Sequence, residues 1–293
     1  MAGMNVLVFG AGFSGRAAIA AIWRHYPDAT VAGTTRDVEK AAALEASGIE
    51  THVFDGNVDT ALAAAIGRAT HILASIAPGA SGDPALEGAA HLIEKAQRLS
   101  WIGYYSTIGV YGDAGGEWID ETFPVEAHNP RIGWRLAAES AWAELAARLG
   151  IPLAILRLGG IYGPGRSGLD KLRNGTARRI VKPGQVFNRI HSEDIGEITA
   201  LAAGKKLSGI FNIVDDEPAP PQVVIAYAAG LLGLEPPPEV DFETADLPPL
   251  ARSFYENNRK VRNERIKDAL GYTLRYPSYR EGFGAILADE HRR

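Results

Sequence analysis

Short apolar runs alternate with Ala-rich amphipathic stretches through the first half of the chain, and this rhythm predicts its elements. The run Asn5-Val6-Leu7-Val8-Phe9 reads as a strand buried on both faces. The stretch from Phe13 to about Tyr26 reads as a helix. Strands are expected over 30–34, 50–54, 71–76 and 101–106, and helices over 38–47 and 84–99. In the second of these helices Leu86, Ala90, Ile93 and the 96–99 stretch recur at helical spacing. Strand and helix in repetition call for an α/β fold, a Rossmann-type doubly wound parallel sheet with helices on both faces. A sixth strand is expected over 153–158. After Gly165 the alternation stops, and residues 166–190 are polar and basic, with Lys171, Arg173, Arg178, Arg179 and Lys182. A helix over 194–203 and a strand over 209–214 return to the sheet, and Pro218, Pro220 and Pro221 mark a second exit. Residues 1–165 and 190–216 are therefore expected to form a nucleotide-binding domain. Residues 166–189 and 217–293 are expected to form a smaller, mainly C-terminal, substrate-binding subdomain.

Composition narrows the function classes. The chain has no cysteine, which excludes disulfides, thiolate metal sites and a cysteine nucleophile. His128 is a lone loop histidine without partners at ligand spacing, so no metal is expected. A net charge of −5 gives no reason to expect nucleic acid or an anionic membrane as partner. No apolar run reaches the ~18 residues of a spanning helix, and the first strand begins without a leader, so a cytoplasmic protein is expected.

The first strand ends in Gly10-Ala11-Gly12-Phe13-Ser14-Gly15, a G-x-G-x-x-G pattern opening a helix. Gly10 permits the tight turn, Gly12 lets backbone approach a pyrophosphate, and Gly15 lets the helix pack on the strand. The helix start, at Phe13 and Ser14, faces the phosphate charge. At the end of the second strand a carboxylate would bind the ribose of NAD. Thr34 and Thr35 stand there instead, with Arg36 behind, a residue able to pair with a 2′-phosphate. This favours NADP, with NAD remaining open. Arg36 also reads as a solvated surface residue and Asp37 as a helix cap. Asp55, after the third strand, reads equally as an acceptor for an adenine amino group or as a turn residue. The small residues from Ser75 onward, at the end of the fourth strand, suit a cofactor ribose.

Later segments carry a resemblance. They are Ser106-Thr107-Ile108-Gly109-Val110-Tyr111-Gly112, Ile161-Tyr162-Gly163-Pro164-Gly165, His191-Ser192-Glu193-Asp194 and Phe211-Asn212-Ile213-Val214-Asp215-Asp216. With a closing segment over 263–282 they make the whole chain resemble the extended short-chain dehydrogenase/reductase superfamily, which includes NAD-dependent epimerases and dehydratases. The glycine spacing is similar to an atypical subgroup, since extended members usually show G-x-x-G-x-x-G. The resemblance implies a small-molecule or nucleotide-sugar substrate, hydride transfer, and a homodimer formed through the helices at 84–99 and 130–149. It puts Thr107 in the place of the Ser/Thr that orients the substrate. The family's Y-x-x-x-K pair departs: matched through Leu136-Ala137-Ala138-Glu139, its tyrosine falls on Arg131 and its lysine on Arg135. Arg135 can still donate to ribose hydroxyls. Arg131, with a pKa above ~12, is no proton shuttle and would stabilise an oxyanion or bind an acidic substrate. Tyr111, Tyr104 and Tyr105 are the nearby phenols, and Tyr111 reads either as the proton donor or as a packed loop residue. Two functions follow: an enzyme with a non-standard active site, or an NADP(H)-binding sensor without turnover.

Overall fold

The strand β1 (Asn5–Phe9) is buried along almost its whole length, lying between a strand at residues 30–35 and another at residues 71–74. The computed structural model describes residues 3–292. After β1 come α1 (Phe13–His25), β2 (Thr30–Thr35), α2 (Val38–Ala46), β3 (Glu50–Val53), α3 (Thr60–Arg68), β4 (His71–Ala74), α4 (Pro84–Ile93), β5 (Trp101–Thr107), β6 (Trp118–Ile119), α5 (Pro130–Leu149) and β7 (Leu153–Leu158). There follow β8 (Gly160–Tyr162), α6 (Gly168–Arg173), β9 (Arg179–Val181), β10 (Arg189–His191), α7 (Ser192–Lys205) and β11 (Gly209–Ile213). The chain closes with α8 (Pro221–Leu231), β12 (Glu239–Asp241), α9 (Pro249–Ser253), β13 (Lys260–Val261), α10 (Glu264–Leu270) and α11 (Tyr279–Glu290).

The main sheet has the order β11-β7-β5-β4-β1-β2-β3. The pairs β1–β2, β2–β3, β1–β4 and β4–β5 are parallel, and the order reverses at β1 and β4. This is the doubly wound, Rossmann-type arrangement. Local chemistry sets where its helices start. Asp37, Asp59 and Asp83 each accept backbone N–H bonds as N-caps of α2, α3 and α4, and Asn129 caps α5. Gly150, at φ +66°, ends α5 in the left-handed conformation that glycine adopts without strain.

The chain divides into two compact units. One comprises residues 1–110, 126–157 and 195–211, and the other 111–125, 158–194 and 212–293. In the first, Leu7, Phe9, Ile72, Ile102, Tyr104 and Trp142 belong to one buried cluster. In the second, Tyr162, Leu169, Tyr279 and Phe283 form one core, and Ile180, Phe242 and Tyr255 another. Three two-stranded pairs, β10–β8, β12–β9 and β13–β6, lie in the second unit.

Two elements in the first half of the main sheet's unit differ most from the sequence expectation. The helix expected to reach Leu99 stops at Ile93, and tight turns follow, with Lys95 and Ala96 donating to carbonyls three residues back. Ala96 and Leu99 are still buried, so their spacing reported burial rather than helix. The helix α3 was not expected at all. Its Ala-rich sequence presents Leu62, Ala65 and Ile66 to the core, a short apolar face without strong punctuation.

Candidate functional site

The β1–α1 turn is built by contacts that only glycine allows. Gly10 has φ +91°, and a Cβ there would lie 2.9 Å from Ile76 Cγ1. A Cβ on Gly15 would lie 2.4 Å from the Gly10 carbonyl oxygen, so α1 packs directly on the turn. Gly12 differs: a Cβ there would meet nothing within 4 Å. Gly12 is also the N-cap of α1, with no side-chain cap, and no acid sits in the first turn. An exposed glycine before an uncapped helix of 13 residues leaves room and positive potential for a phosphate. The residues present therefore fit the pyrophosphate of a dinucleotide. Ser14 is buried beside this turn and Phe13 half-buried.

Thr34 is buried, and its hydroxyl accepts the Gly10 N–H at 2.9 Å, while its carbonyl accepts that of Ala11 at 2.8 Å. It ties the glycine turn to β2. Thr35 Oγ1 accepts from Asp37 N at 3.2 Å. Asp37 Oδ1 caps α2, and Oδ2 pairs with Lys40 Nζ at 2.9 Å. Lys40 holds the Asp37 carboxyl below its ordinary pKa. The nearest acid to the end of β2 is thus neutralised locally, while the exposed Arg36 side chain has no hydrogen-bond or ion-pair partner among the described residues. Asp55 is exposed, and its Oδ1 accepts both N–H groups of Asn57, backbone and side chain, at 3.0 Å each. Those bonds lower its pKa and form a local turn. Ser75 N donates to Phe9 O at 2.8 Å, carrying the β1–β4 pairing one step past β4.

At the carboxyl end of β5, Thr107 is half-buried and its Oγ1 accepts the Gly109 N–H at 3.0 Å. A Cβ on Gly109 would lie 3.1 Å from Ile132 Cδ1 and 3.2 Å from Thr107 Oγ1. Gly109 thereby lets the first turn of α5 close on the Thr107 loop. Arg131, in that turn, is exposed. Arg135, one turn on, donates from Nη1 to the Tyr104 hydroxyl at 3.0 Å and to the Tyr105 carbonyl at 2.8 Å.

Beneath these lies a polar network that the sequence reading missed. Arg157 meets Glu139 fork to fork, Nε to Oε1 at 3.1 Å and Nη2 to Oε2 at 2.7 Å, and Ser106 Oγ also donates to Oε1. Both charged side chains are less than a tenth exposed. Asp83, the α4 cap, accepts from Trp142 Nε1 at 3.1 Å, and burial raises its carboxyl pKa. The signal for the first pair was Arg157 itself, a lone charge inside the apolar run 153–158.

The three phenols are all buried and all engaged. Tyr104 accepts from Arg135, Tyr105 OH bonds Thr199 Oγ1 at 2.7 Å, and Tyr111 OH donates to Asn212 Oδ1 at 2.8 Å. Burial pushes the Tyr104 and Tyr105 pKa values well up. Tyr111 is packed edge-on against Phe123, and Asn212 N donates to Glu121 Oε1 at 2.8 Å. Tyr111 thus sits in the second unit as a packed loop residue. In the same unit His191 Nδ1 accepts from Glu193 N at 3.2 Å, and its ring lies 4.0 Å from that of Tyr276. Burial lowers its pKa to about 4. Asp194 accepts from Tyr272 OH and from the N–H groups of Arg275 and Tyr276, a structural clasp. Among the described residues no group of His, Asp and Glu could hold a metal ion.

No protein-family model matches the sequence. A solved structure described as a functionally unknown conserved protein from Silicibacter pomeroyi is 44% identical, covers 98% of this chain and 99% of its own, and superposes with a TM-score of 0.89. The chain belongs to one family with that protein. Its fold is that of the extended short-chain dehydrogenase/reductase proteins. A dTDP-glucose 4,6-dehydratase from Bacillus anthracis, solved in complex with NAD, matches 99% of this chain and 97% of its own with a TM-score of 0.79 at 16% identity, a likeness of fold alone. By sequence, a 3-diazoavenalumate denitrifying reductase from a Streptomyces species is 29% identical over 212 residues, 68% of this chain and 69% of that protein.

Proposed function

We propose that this protein binds NADP(H) on the β1–α1 turn and transfers hydride between it and a small-molecule substrate. The observation that carries the reading is the turn itself: Gly12 faces open space at the uncapped start of α1. The exposed Arg36, with Asp37 already engaged by Lys40, supports the phosphate-bearing cofactor over NAD. The resemblance to a reductase supports redox chemistry rather than storage of the nucleotide. When bound, the cofactor supplies or accepts hydride.

The chain's own groups do the rest. The Thr107 oxygen accepts from Gly109, which leaves its hydroxyl hydrogen to orient a substrate oxygen. Arg135 is the fixed cation beside β5 and takes the place of the family's lysine. The exposed Arg131 offers a second cation one turn away on the same helix face, suited to negative charge on the substrate. With the three nearby phenols buried and bonded, the proton that accompanies hydride comes from water. Nucleotide sugars are one substrate class to test, beside aldehydes, ketones and acidic small molecules.

Affinity measurements for NADPH and NADH, with Arg36→Ala, test the cofactor, and NADPH absorbance against those substrates tests turnover. Tight NADPH binding with no turnover on any of them would favour the second reading, a cofactor-binding sensor, to which the engagement of the Tyr104, Tyr105 and Tyr111 hydroxyls gives specific support.

A further inference from the structure

Arg135 is anchored through one nitrogen only. Nη1 carries two hydrogens, and the bonds to Tyr104 OH at 3.0 Å and Tyr105 O at 2.8 Å use both. Nε and Nη2 carry the guanidinium's other three N–H donors and have no partner among the described residues. The guanidinium carbon lies 5.7 Å from the Tyr104 ring centroid, so the phenol supports the cation from its face as well as from its hydroxyl. Tyr104 is fully buried and cannot touch a ligand. It is itself held: the Trp142 ring lies 6.2 Å away, and Trp142 Nε1 is fixed by Asp83. One turn along α5, the Glu139–Arg157 pair pins the helix against β7.

Tyr104, at the middle of β5, is level with Ala74, the last residue of β4, and β4 separates β5 from β1. A dinucleotide on a doubly wound sheet crosses the carboxyl ends where the strand order reverses, here at β1 and β4. Its adenosine half then lies toward β2 and Arg36, and its other half toward β4 and β5.

We propose that Tyr104 is a positioning residue that fixes Arg135, so that the free Nε–Nη2 edge donates to an oxygen of the non-adenosine half of the dinucleotide. The inference rests on the NADP(H) reading above. It gives the arginine a physical reason: one nitrogen anchors while another binds, two tasks that a lysine must perform with a single nitrogen.

The test compares the affinities of NADPH and of adenosine 2′,5′-bisphosphate, a fragment lacking the second half. Both are measured by calorimetry on the full chain and on Tyr104→Phe, Arg135→Ala and the double variant. Tyr104→Phe removes a single oxygen from a filled core, and a melting curve confirms its fold. The expected result is NADPH binding weakened about tenfold by Tyr104→Phe and at least as much by Arg135→Ala. Fragment binding is expected to stay within about twofold for both variants, and the double variant is expected to bind NADPH no worse than Arg135→Ala alone. Equal weakening of both ligands by Tyr104→Phe, unchanged NADPH binding, or a Tyr104→Phe effect that persists without Arg135 would each overturn the positioning role. If the unmodified protein binds neither ligand, the cofactor reading itself fails and takes this inference with it. Fragment binding without any gain from the second half overturns the inference alone.

Discussion

Two glycines in the same turn have opposite constraints. Gly15 has no room for a methyl group, because the Gly10 oxygen stands 2.4 Å from where it would sit. Gly12 has room: a Cβ there would meet nothing within 4 Å. Gly15→Ala is therefore expected to lower stability by a few kcal/mol in urea unfolding, through backbone displacement in a packed turn. Gly12→Val is expected to cost no more than about 1 kcal/mol of stability, as a poorer N-cap of α1, and to abolish NADPH affinity. A large loss of stability in Gly12→Val would show that the space is structural. Arg36→Ala is expected to weaken NADPH about ten- to a hundredfold and NADH hardly at all, one charge-assisted phosphate pair being lost. Tyr111→Phe leaves Asn212 Oδ1 without its phenol donor and is expected to cost about 1–2 kcal/mol of stability while turnover is retained. Turnover lost in a folded Tyr111→Phe protein would restore that phenol to the mechanism.

Helix α5 is the element on which the candidate site depends. Its three inward layers are the Gly109 contact at Ile132, the Arg135–Tyr104 anchor and the Glu139–Arg157 fork. The last is a buried ion pair, and removing one member strands the other charge. Glu139→Ala is expected to destabilise the fold by about 3–5 kcal/mol, read as a lowered urea midpoint. Replacing both Glu139 and Arg157 with apolar residues of similar size should recover much of that loss. A Glu139→Ala protein as stable as the parent would mean that the pair has no structural weight.

For the molecule as a whole, two buried histidines set a pH dependence. Burial lowers the pKa of His71, in the first unit, and of His191, in the second, to about 4 each, against 6.5 when unfolded. Between these values the unfolded chain binds protons that the folded chain refuses, so stability falls as pH drops from about 6.5 towards 4. Asp83, Asp194 and Asp215 act in the opposite sense, since burial raises their folded pKa values, and they gain stability as pH falls. Replacing His191 with Gln is expected to reduce the slope of stability against pH near pH 5 by about one proton, about 1.4 kcal/mol per pH unit. An unchanged slope in urea titrations would show that His191 titrates normally in the folded state.

The sequence by itself determined what depends on near neighbours. The apolar runs at 5–9, 71–76 and 101–106 specified buried strands, Asp37 specified a cap, and Gly10, Gly12 and Gly15 specified a tight turn opening a helix, because glycine spacing, strand burial and capping are local. Tertiary structure decided what joins distant segments. Thr34, standing where a carboxylate would bind ribose, accepts the N–H of Gly10, 24 residues away; Arg135, matched to the family's lysine as a donor to ribose, is also bound to Tyr104, 31 residues away. Tyr111 read either as a proton donor or as a packed loop residue, and bonds to Arg135, Thr199 and Asn212 engage the buried Tyr104, Tyr105 and Tyr111 in turn. A side chain's free donors and its exposure are properties of the packed chain, so the glycine turn was easier to read than the side chains that stand free beside it.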